Sequence, residues 1–107
     1  MKTIPLQPIP AQTLQIVLDG QYCTFSVYYR WGRCYLDLTV GATPVLKGIL
    51  CLHGEKLNTS PNIDFSGSLY FVDTQAQEPP QWEGLGDRWV LVYLSEGETA
   101  PDTLGNN

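Results

Sequence analysis

Apolar and polar residues alternate with a period of two from Thr13 to Val40. Successive side chains of a strand point to opposite faces, so this alternation predicts strands with one apolar face. Residues 23–40, CTFSVYYRWGRCYLDLTV, read as two strands joined at Trp31-Gly32. A two-residue loop there sets Arg30 against Arg33, Tyr29 against Cys34, Val27 against Leu36, Phe25 against Leu38 and Cys23 against Val40. A three-residue loop would set Phe25 against Asp37 and Val27 against Tyr35. A slip of one residue turns a whole strand over, so the apolar pattern selects the two-residue loop. Gly32 supplies the positive φ that such a loop needs. Asp19-Gly20 is a second hairpin signal. It places Leu18 opposite Gln21, Ile16 opposite Cys23 and Leu14 opposite Phe25, so residues 13–18 join the same apolar surface.

The rest of the chain is read around this meander. Residues 1–12 carry Pro5, Pro8 and Pro10, which removes backbone donors and favours an extended arm. Ile4, Leu6 and Ile9 let the arm lie against its own domain or a neighbour's, and it is expected to be separable from the domain of residues 13–94. Residues 45–52 form a further strand with Leu46, Leu50 and Leu52 on one face; they alternate with Lys47, Cys51 and His53, and Gly48 marks a bulge. Residues 54–67 read as an irregular loop from which Ile63 and Phe65 fold back over the core. Strands at 68–73 and 88–94 flank a loop, 74–86, that holds Trp82. The last strand is apolar on both faces and is expected to be central. Residues 95–107 read as a flexible acidic tail. With about six strands at this spacing and no helical period, the fold is expected to be all-β, a small antiparallel barrel or two-layer sandwich.

The second face of the meander is mixed, with Gln15, Val17, Tyr22, Thr24, Ser26, Tyr28, Tyr35, Asp37 and Thr39. Tyrosine is enriched where one end is dry and the other wet, as at interfaces. A ladder of cross-strand pairs, Tyr28 on Tyr35 and Val17 on Tyr22, is the plain structural alternative. The candidate protein contacts are therefore Tyr22, Tyr28, Trp31 and Tyr35, with Ile4, Leu6 and Ile9 of the arm and Trp82 and Leu85 of the late loop.

Composition narrows the function. The 107 residues are 43% hydrophobic and only 16% charged, against roughly a quarter in ordinary soluble proteins. Part of the surface thus looks designed for cover by other protein. The net charge of −5 disfavours nucleic acid, whose phosphates need clustered Lys and Arg; only Arg30 and Arg33 sit together. The N-terminus lacks the continuous apolar run of a signal peptide, and no stretch approaches the roughly 18 apolar residues of a membrane helix. Cys23, Cys34 and Cys51 are expected to be free thiols in the core.

Chemistry is sparse. Cys51 and His53 share a strand face, which would suit a thiol hydrolase, but no third orienting group is evident. Three cysteines and one histidine match a zinc count, yet their spacings of 11, 17 and 2 residues contain no paired-cysteine knuckle. Asp37, Asp73 and Asp87 are scattered, and Gly84-Leu85-Gly86 has no helix after it to bind phosphate. No catalytic residue, cofactor or metal is expected.

Four segments carry a family resemblance: PIPAQTLQIVLDGQ (8–21), RWGRCYLDL (30–38), GSLYFVDT (67–74) and LGDRWVLVYL (85–94). In order and spacing they resemble the small baseplate plug proteins of contractile-tailed phages, from about Pro5 to Leu94. The resemblance implies a non-enzymatic virion component at the centre of the tail baseplate, assembled in the host cytoplasm. Its implied partners are hub and spike proteins, with copies of itself as a further candidate. Two departures are the tight Trp31-Gly32 turn and Cys34, where the family often carries a bulky aromatic. The competing reading is a stand-alone carbohydrate- or peptide-binding β module stacking ligands on Trp31 and Trp82.

Overall fold

Among the described residues seven strands build two antiparallel sheets, and the meander belongs to the larger. The computed structural model describes residues 1–58 and 65–98. Its strands are β1 (Lys2–Ile4), β2 (Ala11–Leu18), β3 (Gln21–Arg30), β4 (Arg33–Val40), β5 (Thr43–Leu50), β6 (Ser68–Asp73) and β7 (Trp89–Leu94), with a short 3-10 turn at Trp82–Gly84. One sheet has the order β2-β3-β4-β5 and the other β1-β7-β6. They pack as a sandwich and do not close into a barrel.

Both hairpins take the register that the apolar pattern selects. Cys23 faces Val40, Phe25 faces Leu38, Val27 faces Leu36, Tyr29 faces Cys34 and Arg30 faces Arg33. Leu14 faces Phe25 and Ile16 faces Cys23 across β2 and β3. Both residues of each loop have positive φ: Asp19 and Gly20 at 49° and 77°, Trp31 and Gly32 at 51° and 73°. That is the turn whose twist matches the strands it joins.

β5 departs from simple alternation. Leu36 pairs with Ile49 and Leu38 with Leu46, so β5 has one extra residue between these pairs. The bulge centres on Lys47-Gly48, with Gly48 at φ 62°. It reverses the parity of the strand beyond it. Leu46 and Ile49 face the core, Leu50 turns outward, and Cys51 is buried. The expected common face for Leu46 and Leu50 is therefore corrected.

The core lies between the sheets. Phe25, Leu36 and Leu38 of the meander meet Leu69, Phe71 and Leu91 of the second sheet, all fully buried. β7 is central, with Trp89, Leu91 and Tyr93 in this core and Val92 and Leu94 in a smaller cluster with Val72. Phe65 packs edge-on against Tyr93 at 5.8 Å between ring centres. Ile63 and the tail beyond Glu98 lie outside the described residues.

The start of the expected arm is a strand. Lys2, Thr3 and Ile4 pair with Tyr93, Val92 and Leu91, and Ile4 and Leu6 are buried in the core. The self-docked alternative is the one the structure takes, and only Ile9 of the three apolar arm residues stays exposed.

The late loop is organised by one ion pair. Asp73, whose side chain is fully buried, accepts two hydrogen bonds from Arg88, Nε and Nη2 each at 2.8 Å. It also accepts the backbone N–H groups of Gln75 and Glu78. The Arg88 guanidinium and these N–H groups hold the Asp73 carboxyl well below the usual carboxylate range. A bidentate pair at the two strand ends thus closes the loop like a clasp.

Candidate functional site

The sequence-predicted contact residues separate into four groups. Ile4, Leu6 and Leu85 are buried and are removed from the exposed surface of the folded chain. Trp82 packs half-buried against the core, and the loop around it is tied to the hairpin, because the Tyr29 hydroxyl donates to Gln81 Oε1 at 2.7 Å. Tyr22 is 73% exposed and stands beside Val17, opposite it in register, at the Asp19-Gly20 end of the meander. Ile9, Tyr28, Trp31 and Tyr35 gather at the other end. Pro10 accepts the Tyr29 N–H at 2.8 Å, which brings Ile9 alongside the tip of the β3–β4 hairpin.

That tip is built from the backbone outward. Trp31 occupies a left-handed conformation at the turn and is 82% exposed. Its ring meets Tyr35 edge-on at 6.4 Å, and Tyr35 stacks on its cross-strand partner Tyr28 at 5.9 Å. The Arg30 guanidinium lies 5.2 Å from the Tyr28 ring centre and 5.7 Å from that of Trp31. Arg30 and Arg33 oppose each other directly, a pairing that like charges disfavour. The aromatic faces beside Arg30 offset part of this repulsion.

Asp37 anchors the aromatic row. Its Oδ1 accepts the Tyr28 hydroxyl at 2.9 Å and the Gly48 N–H at 2.6 Å. Lys47 lies 3.7 Å from Oδ2. Burial, then the bond to Asp37, raises the Tyr28 phenol above its ordinary value, so this hydroxyl stays protonated as donor. The carboxylate thus joins the β5 bulge to the tyrosine ladder. Sequence reasoning found the tyrosines and Trp31 but not this tether. A glycine inside a strand, facing a lone Asp on the neighbouring strand, was the available signal.

The residues raised as chemistry are used structurally. All three cysteines are free and buried. The Cys51 N–H donates to Cys34 O at 2.9 Å and its thiol to Ile49 O at 3.6 Å, and burial pushes the Cys51 thiol up, away from a reactive thiolate. His53 Nδ1 accepts the Asp73 backbone N–H at 2.9 Å, so this ring nitrogen is committed to the fold. Among the described residues no group of three or more His, Cys, Asp or Glu is placed to hold a metal ion. No helix among them is long and apolar enough to cross a membrane.

The hairpin tip gathers exposed Trp31, Arg30 and Arg33 with half-buried Tyr28 and Tyr35, flanked by exposed Ile9 and Leu50. Such residues form the energetic centres of protein interfaces. A family model described as the cyanophage baseplate Pam3 plug gp18 matches residues 1–96 of the chain. No curated protein matches it.

Proposed function

The chain belongs to this family of phage baseplate plugs, and from that premise we propose that the β3–β4 tip is the surface by which it seats against the hub and spike subunits. Membership makes the protein a structural component of the virion tail. The finer role is a non-enzymatic plug, assembled in the host cytoplasm, that bridges the central subunits through protein contacts alone.

One observation carries this reading. The left-handed region costs an ordinary L-residue roughly 1–2 kcal/mol, and Trp31 sits there at φ 51° with its ring in solvent. The equivalent position of the other hairpin is Asp19, a residue that tolerates this backbone. Folding alone favours Asn or Asp at position 31. A strained, exposed tryptophan between two arginines is explained by what it touches outside the chain. The carbohydrate-module reading fares less well, because Trp82 packs against the core and leaves one ring for a sugar.

Trp31→Asn separates folding from binding. The variant trades the ring contacts for relief of backbone strain, so its stability is expected to change by less than about 1 kcal/mol in urea unfolding. Its affinity for co-expressed hub or spike subunits should fall by about 30-fold or more, the cost of a hot-spot residue near 2 kcal/mol. Undiminished co-purification would remove the tip from the contact. Tryptophan quenching by oligosaccharide, with no subunit captured, would favour the carbohydrate reading instead.

A further inference from the structure

Among the described residues the sandwich has four sheet edges, and three are protected. β5 carries Pro44, Lys47 and the bulge at Gly48, each a known way to blunt an edge. β6 is covered by the chain itself: Gly54 N–H donates to Phe71 O, Leu57 N–H to Leu69 O, and Asn58 Oδ1 takes the Leu69 N–H. β1 is three residues long. β2 differs from all of these. Its eight residues, AQTLQIVL, include no charge, no proline and no glycine, and among the described residues no strand pairs with its outer side.

The hydrogen-bond phase of that edge follows from two contacts. The Tyr29 N–H donates to Pro10 O, and Leu18 and Gln21 flank the two-residue turn. Bonded and non-bonded pairs alternate in an antiparallel ladder. The even-numbered residues of β2 therefore direct their main-chain groups to β3. Ala11, Thr13, Gln15 and Val17 direct theirs outward, and Lys2 Nζ reaches Val17 O from outside at 3.4 Å.

We infer that β2 pairs antiparallel, across a twofold axis, with β2 of a second copy. An axis at Leu14 sets Thr13 opposite Gln15 and Ala11 opposite Val17 of the other copy, so all four outward residues find partners. Every side chain keeps its face in this register. Leu14, inward-facing but only half-buried at the open edge, gains apolar cover from Leu14 of the other copy, and Ile16, equally half-buried, stands opposite Gln12 with that same Leu14 as its diagonal neighbour. No residue of β2 is charged, the two Lys2 side chains lie at opposite ends of the paired edge, and the ends of the sheet complement each other. Arg30, Arg33 and Lys47 cluster at the tip end with Asp37. The opposite end holds Asp19, Glu96 and Glu98 with Lys2 and the terminal amine, where the amine pairs with Glu98 and Tyr93 donates to Asp19. Antiparallel pairing brings the basic end of one copy beside the acidic end of the other, the isologous arrangement of a twofold dimer.

Proline at position 15 tests this edge without touching the fold. The Gln15 N–H is unused in the β2–β3 ladder, and proline is tolerated at an edge where the missing donor faces solvent. Sedimentation velocity on the full chain at micromolar concentration should give a dimer for the wild type and half that mass for Gln15→Pro, with the thermal melt of dilute protein little changed. Amide exchange gives a readout independent of the variant's folding. The Thr13, Gln15 and Val17 amides of the wild type should slow as concentration rises, while those of Leu14 and Ile16 stay slow throughout. A monomeric wild type would overturn the inference, even if a different protein bound this edge. So would a dimer whose Thr13, Gln15 and Val17 amides exchange as fast as in dilute protein.

Discussion

A chain that begins at Gln7 should fail to fold stably. Removing residues 1–6 takes away β1, its pairing with β7 and two side chains of the core. Ile4 is 1% exposed and Leu6 6%. Emptying such sites by truncation to alanine costs about 2–5 kcal/mol each, and small domains have only about 5–15 kcal/mol in total. The loss also strips β7 of its neighbour on one side, so Leu91 and Tyr93 meet water along an open edge. Circular dichroism and urea unfolding of the shortened chain should show a broad transition or none near room temperature. A cooperative melt close to that of the full chain would mean that β1 is an accessory strand and that its packing is replaceable.

Gly86→Ala should weaken the same corner of the molecule by about 2–5 kcal/mol. Gly86 has φ 83°, a region closed to residues with a Cβ except at a cost. A methyl group built there would also overlap the Leu6 carbonyl oxygen. That oxygen belongs to backbone, so it cannot yield by a rotamer change. The Gly86 N–H is meanwhile held by Trp89 O at 2.8 Å, which fixes the glycine against the start of β7. Either the Leu6 segment lifts from the loop or the loop leaves Trp89, and both expose core. Thermal denaturation should register a fall on the order of 10 °C or more. A melt within a degree of wild type would show that the loop and the Leu6 backbone separate without loss.

These two sites were the least legible in the sequence, for one reason. An apolar residue between prolines or glycines reads the same whether it covers its own core or a partner's. Ile4, Leu6 and Leu85 were candidates for outside contact on that ground, and the structure spends them inside. β1 is three residues long, and its partner lies at the far end of the chain, beyond the reach of local pattern. The meander was legible because two short loops and a period of two leave only one register that keeps Phe25, Val27, Leu36 and Leu38 together. β5 was legible as a strand but not in its orientation. One extra residue at Gly48 exchanges inside for outside, and a glycine announces a bulge without saying which side chain it turns. The Asp73–Arg88 clasp was missed because each residue stands at a strand end, and only the pairing of β6 with β7 brings the ends together. Tyr28, Trp31 and Tyr35 were readable as one surface once the hairpin register was known. The backbone strain at Trp31 was not, since the sequence marks only Gly32 as a turn residue.

A photo-crosslinking amino acid placed at position 31, with a second protein carrying it at position 22, decides whether the hairpin tip faces the rest of the baseplate. The two positions lie at opposite ends of one sheet and are both exposed, so they sample different surroundings in assembled tails. Irradiation of purified tails should join position 31 to a hub or spike subunit, identified by mass spectrometry, and position 22 to it weakly or not at all. Capture of that subunit from position 22 alone, with position 31 left unlinked, would contradict the seating of the plug by Trp31 and its neighbours.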